Sequence, residues 1–177
     1  SHELELKYNY VKNAFIKEGI RDAKILPVLS AGKECAYRNK GQYPLTKVKG
    51  KTVAGFYAAK THNVIPAEQC SIQADEFAPI LRFVCEFADS YGWSVYDEES
   101  GKGLLRHLYL RTGAGENGEI LVCIVIAGKS LPYADELADA LMRTFSRIVG
   151  VVLNVNTKNS NVILGNEYIT VAGKAAI

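Results

Sequence analysis

LLRHLYLRTGAGENGEILVCIVIA, residues 104–127, decides the fold class. Leu104 to Arg111 alternates as a β-strand does, with Leu104, Arg106, Leu108 and Leu110 on one face and Leu105, His107, Tyr109 and Arg111 on the other. Thr112 to Gly118 holds three glycines and Asn117, which marks a turn. Glu119 to Ala127 then reads as an apolar strand with Cys123 inside it. The two strands belong to an antiparallel or mixed sheet.

Downstream, a helix is predicted from about Ser130, with Pro132 in its first turn and Leu137, Leu141, Met142 and Phe145 as its buried stripe. Val149 to Asn156 and Val162 to Val171 follow as strands joined by an Asn-rich turn. Upstream, Ala74 to Tyr91 reads as a helix: Phe77, Ile80, Leu81, Val84, Cys85 and Ala88 share one face, and Gly92 ends it. Trp93 to Tyr96 suits a short strand. Ahead of these lie two predicted strands, Ala36 to Leu45 and Lys51 to Ala59, joined by a hairpin turn over Thr46 to Gly50. Thr61 to Cys70 is a loop or short edge strand, because Pro66 forbids a central one. The first helix covers about Glu3 to Glu18, with Leu4, Tyr8, Val11 and Phe15 as an apolar stripe and Gly19 as its stop. The strand–strand–helix unit thus occurs twice. The expected fold is α+β, an antiparallel or mixed sheet with helices mainly on one face.

The 177 residues suit one domain and carry a net charge of +2. No apolar run reaches membrane-spanning length, and Glu3, Glu5 and Lys7 stand where a secretory leader needs an apolar stretch, so the expected location is the cytoplasm. Cys35, Cys70, Cys85 and Cys123 are widely spaced, with no CxxC pair, and suit reduced thiols. His62 and His107 lie far apart and neither belongs to an HExxH; there is no GxGxxG after a strand and no GxxxxGK[ST]. No local catalytic constellation stands out. Lys33, Arg38, Lys40, Lys47, Lys49, Lys51 and Lys60 share their stretch with Glu34 as its only acid. Such a patch favours polyanions, and lysines that merely protect a sheet edge would look the same.

Tyr37-Arg38-Asn39-Lys40-Gly41-Gln42-Tyr43-Pro44 gathers two cations, two amides and two tyrosines in eight residues. Cations neutralise phosphate, amides bond base edges and tyrosines stack on unpaired bases. Arg106, His107 and Arg111 add a second basic strand, with Tyr109 between them. A surface strand with buried tyrosines explains the first stretch equally, and a half-buried strand with solvated arginines the second.

From Tyr37-Arg38-Asn39-Lys40 onward the chain resembles the S-adenosylmethionine-dependent RNA (uracil-5-)-methyltransferases. The YRNK-x-Q-x-P run, LLRHLYLRTG with GEILVCIV, the ending NVILGNEYITVAG and the opening SHELELKYNYVKNAF carry the resemblance in the expected order. It implies that residues 1–177 form the central RNA-recognition domain of a larger enzyme, opened by an N-terminal helix over residues 1–19 and lacking the C-terminal S-adenosylmethionine-binding domain. Tyr37, Arg38, Asn39, Lys40, Gln42, Arg106, His107 and Arg111 then become the expected RNA contacts. The implied partners are RNA, 23S ribosomal RNA in particular, and the methyltransferase domain in cis. Cys70 falls where the family's fourth [4Fe–4S] cysteine lies, a single ligand where the cluster needs four. The family's FxQxN segment, glycine motif, nucleophilic cysteine and general base have no counterpart here, so the piece alone is expected to hold no cofactor and to transfer no methyl group, a step that needs an activated thiolate. An interaction domain that docks another domain or subunit is the alternative.

Overall fold

Lys49 and Gly50 both adopt positive φ, 50° and 81°. That is the two-residue turn whose twist matches a β-hairpin, and it lets the flanking strands run right up to it. The computed structural model describes residues 2–30, 32–61, 63–67, 70–114, 118–160 and 162–177. Its elements in chain order are α1 (His2–Lys17), β1 (Lys40–Val48), β2 (Lys51–Tyr57), β3 (Val64–Pro66), α2 (Phe77–Ser90), β4 (Leu105–Thr112), β5 (Ile120–Ile126), α3 (Ala134–Thr144), β6 (Ile148–Val155) and β7 (Glu167–Gly173). The chain divides into two units, Ser1–Cys35 and Ala36–Ile177.

In the first unit α1 ends as expected. Gly19 is left-handed at φ 75°, and Ile20 N–H donates to Phe15 C=O at 2.9 Å, the wide closing bond of a glycine-stopped helix. No residue of α1 is fully buried, although Leu4, Tyr8 and Phe15 of its apolar stripe are partly covered.

In the second unit the described strands form one sheet in the order β3-β2-β1-β4-β5-β6-β7. All neighbours are antiparallel except β5 and β6, which α3 connects in parallel. The α+β class with a mixed sheet is therefore correct. β3 is an edge strand, as Pro66 requires. Ile80, Leu81, Val84 and Ala88 of α2 and Leu137, Ala138 and Leu141 of α3 share one core with Leu108, Leu110, Val122, Ile124, Val151 and Leu153. Both helices thus cover the same face of the sheet. No described helix is long and apolar enough to cross a membrane.

Several boundaries differ from expectation for identifiable reasons. β1 continues to Val48 because the turn needs only two residues. α3 begins at Ala134, after Pro132, because Tyr133 is left-handed at φ 60° and interrupts the helical path. α2 starts at Phe77, after a turn in which Phe77 N–H donates to Ala74 C=O. Trp93 to Tyr96 forms only a single bridge, Val95 to Leu105. The predicted strand 162–171 becomes an irregular segment followed by β7. Buried Asn154 and Asn156 brace that segment: Asn154 Nδ2 donates to Gly165 and Glu167 carbonyls, and Asn156 Nδ2 to Val162 and Ile163 carbonyls at 2.6 and 3.0 Å. Side-chain amides thus satisfy main-chain groups that a ladder would otherwise pair.

The largest correction concerns β4. Its pairing with β5 slips between Leu105 and His107, a bulge at Arg106. Leu105 therefore joins Leu108 and Leu110 in the core, not His107, Tyr109 and Arg111 as strict alternation predicted. Pro44, which cannot donate to a ladder, sits opposite His107 next to this irregularity.

Candidate nucleic-acid interface

The sheet face turned away from α2 and α3 collects most of the strand residues singled out from sequence. Register sets Lys40 opposite Arg111 and Gln42 opposite Tyr109, and continues from Tyr109 to Cys123 and from Arg111 to Leu121. Directly opposed side chains have Cβ atoms about 4.5–5.5 Å apart. Lys40 and Arg111 are both exposed, and among the described residues neither enters an ion pair. Two like charges set side by side disfavour the empty sheet, and an anion laid across both relieves the repulsion. Beside them Tyr109, Arg111, Leu121, Cys123, Val152, Leu164, Tyr168 and the end residues Ala175, Ala176 and Ile177 line a depression of about 210 Å³. Tyr168 is 56% exposed, and partial burial followed by Cys123 and Tyr109 raises its hydroxyl above the ordinary range. It stays a neutral phenol, suited to stacking and hydrogen bonding.

Tyr37, Arg38 and Asn39 precede β1 and are exposed, Tyr37 by 54%. Their backbone is tied down: Arg38 N–H donates to Ile72 C=O and Asn39 C=O accepts from Thr112 N–H, at 2.9 and 2.8 Å. The basic run as a whole is not one surface. Lys47 is committed to Asp89, 2.6 Å away, whose carboxylate also accepts from Thr52 N–H and Oγ1–H. These partners outweigh partial burial, the largest single influence, and hold Asp89 below the usual carboxylate range.

Arg106 and His107, grouped with Arg111 from sequence, lie inside the protein, each 3% exposed. One Arg106 Nη donates to Asn156 and Lys158 carbonyls at 3.0 and 2.7 Å. The other donates to Glu98 at 3.1 and 3.3 Å and to Ser160 C=O at 3.4 Å. The guanidinium also lies 4.4 Å from the Tyr96 ring centroid. His107 packs edge-on to Tyr57 at 6.3 Å, and burial, with Arg106 nearby, pushes its pKa down to about 4. Tyr57, Thr61, Glu98, Arg106, His107, Ser160, Val162 and Ile163 line a recess of about 280 Å³. Tyr57, Glu98 and the bracing asparagines were missed from sequence; the only signal there was polar residues within an apolar strand, at Asn154 and Asn156.

Burial pushes the Cys85 and Cys123 thiols up to about 12, so both are inert core residues. Cys70 is half-buried beside Tyr43 and Gln73 in a depression of about 340 Å³. Among the described residues no three His, Cys, Asp or Glu side chains gather as a metal-ion set, so the present ligands do not fit a four-thiolate cluster. A concavity of about 750 Å³ lies between α2 and the β2–β3 edge and includes no residue of the predicted set. His62, Asn117 and residues 68 and 69 beside Cys70 lie outside the described residues.

No family model matches the chain. It is 37% identical over 175 residues, 99% of its length, to a protein named "Uncharacterized RNA methyltransferase" from Clostridium tetani. The chain is similar along its length to proteins named as RNA methyltransferases. Similar proteins of that name from Gloeobacter violaceus and Bacillus cereus are each 34% identical, over 97% and 99% of this chain. The chain spans 38% of the length of each of these curated relatives. Among solved structures, Pyrococcus abyssi tRNA (uracil-54, C5)-methyltransferase in complex with S-adenosyl-L-homocysteine superposes with a TM-score of 0.70, at 22% identity, over 98% of this chain and 38% of that one. That likeness shows a shared fold.

Proposed function

We propose that this chain is the RNA-contacting domain of an S-adenosylmethionine-dependent RNA (uracil-5-)-methyltransferase acting on ribosomal RNA. One observation carries the reading: Lys40 and Arg111, unpaired with any acid among the described residues, stand side by side on the sheet face opposite α2 and α3, next to Tyr109 and Tyr168. Cations hold the phosphates and aromatic rings receive bases, the usual division of labour at single-stranded RNA. Tyr37, Arg38, Asn39 and Gln42 extend this surface, while Arg106 and His107 act from beneath it. The similarity to RNA methyltransferases supports the reading. The choice of ribosomal RNA rests on the Cys70 segment, which resembles that of the cluster-bearing branch. S-Adenosylmethionine would supply the methyl group in a separate domain of the longer protein, and Cys70 would be this chain's single thiolate toward a [4Fe–4S] cluster whose other cysteines lie outside it. Residues of this chain would grip and orient the RNA strand.

The test is the double variant Lys40→Ala/Arg111→Ala, titrated against a fluorescent single-stranded RNA over a salt series. Each lost phosphate contact lowers the log–log salt slope by about 0.7, so the double variant is expected to lose about 1.4 from that slope and to bind less tightly at every salt concentration. An unchanged slope and affinity would instead favour a domain that docks protein.

A further inference from the structure

Among the described residues, three buried polar atoms of the side chains lining one recess of the second unit have no hydrogen-bond partner: Nδ1 and Nε2 of His107 and Nε of Arg106. An unmet buried polar group costs about 1–3 kcal/mol, and native structures rarely leave several together without a reason. We infer that the recess beside the β4 bulge receives one unstacked nucleobase of the RNA strand, held at its edge by His107 and Arg106 Nε–H and stacked on Tyr57. The inference rests on the RNA-contact reading and adds a base-specific site to it.

The chemistry of the walls selects this ligand. At about 280 Å³ the recess is smaller than pockets for drug-sized molecules. Val162 and Ile163 give it apolar sides, and Tyr57, 38% exposed, gives an aromatic one. One ring nitrogen of the neutral imidazole can accept while Arg106 Nε–H donates. A base edge carrying an N–H beside a carbonyl meets that pair. Phosphate fits poorly, since the Glu98 carboxylate lies in the wall; a metal ion fits poorly, since the Arg106 charge stands beside both Glu98 and His107. The recess also lies on the same side of the sheet as Lys40 and Arg111. His107, Tyr109 and Arg111 alternate along β4, so the imidazole sits about 13 Å along the strand from Arg111, within reach of a strand whose phosphates rest on Lys40 and Arg111.

The experiment compares two probes on the 177-residue chain: an RNA octamer carrying all four bases and an abasic octamer with the same backbone charge. Binding is read by fluorescence anisotropy and the His107 ring by nitrogen–proton NMR, assigned against His107→Gln. The base-bearing octamer is expected to bind about tenfold more tightly and to shift the His107 ring signals, while the abasic octamer binds and leaves them in place. Tyr57→Ala is expected to narrow the difference between the two affinities and to remove the shift of the His107 ring signals. If both octamers bind and His107 stays unmoved, the base site is wrong and the RNA surface stands. If neither binds, the RNA-contact reading falls and the base site with it.

Discussion

Replacing Arg106 with alanine is expected to lower the unfolding free energy by about 3–5 kcal/mol. The guanidinium is buried, and it serves Glu98 and three carbonyls from the segment between β6 and β7, at Asn156, Lys158 and Ser160. Removing it strands a half-buried carboxylate and frees the carbonyls that fold this segment back onto the β4 bulge. Arg106→Lys is expected to recover little, since one ammonium cannot span partners arranged for a planar fork. Urea unfolding of the three proteins checks this. A loss for Arg106→Ala near that of an exposed substitution, within about 0.5 kcal/mol, would show that the network is not a structural tie.

The second large effect is acid sensitivity centred on His107. In the folded protein burial holds its pKa near 4, whereas an unfolded histidine titrates near its ordinary value of 6.5. Between those values the unfolded chain binds the proton and the folded one does not, so stability falls as pH drops from about 6.5 to about 4 and is fully present above that window. The total is about 3 kcal/mol, from about 1.4 kcal/mol per unit of pKa difference. Carboxylates such as Asp89, held low by Lys47 and Thr52, add their own loss toward the acid end. The comparison with His107→Gln separates the two, because the variant keeps the carboxylates and loses only the histidine's share. Equal pH slopes for both proteins would place the folded His107 pKa near its ordinary value.

Much of the fold was legible because its signals are local. The α2 stripe from Phe77 to Ala88, the glycine stop at Gly19 and the edge placement forced by Pro66 each depend on a few neighbouring residues. The pairing of Tyr109 and Arg111 on one face was legible for the same reason. The bulge was not: strict alternation groups Arg106 with Leu108, and only carbonyls some fifty residues later in the chain explain why a buried arginine breaks the ladder there. Nor was the segment after β6 readable, since its course is set by the amides of Asn154 and Asn156, not by propensity. The basic run illustrates a further limit. Its charges are visible in sequence, but the commitment of Lys47 to Asp89 and the unpaired state of Lys40 depend on which elements meet.

Photocrosslinking shows whether RNA lies across the sheet face opposite α2 and α3. A single-stranded RNA substituted with 4-thiouridine is irradiated with the chain, and the crosslinked peptides are identified by mass spectrometry. Crosslinks are expected at Tyr109 and Tyr168, with Tyr37 and Tyr57 at the margins. Crosslinks confined to α2, α3 or the concavity between α2 and β2 would contradict that placement.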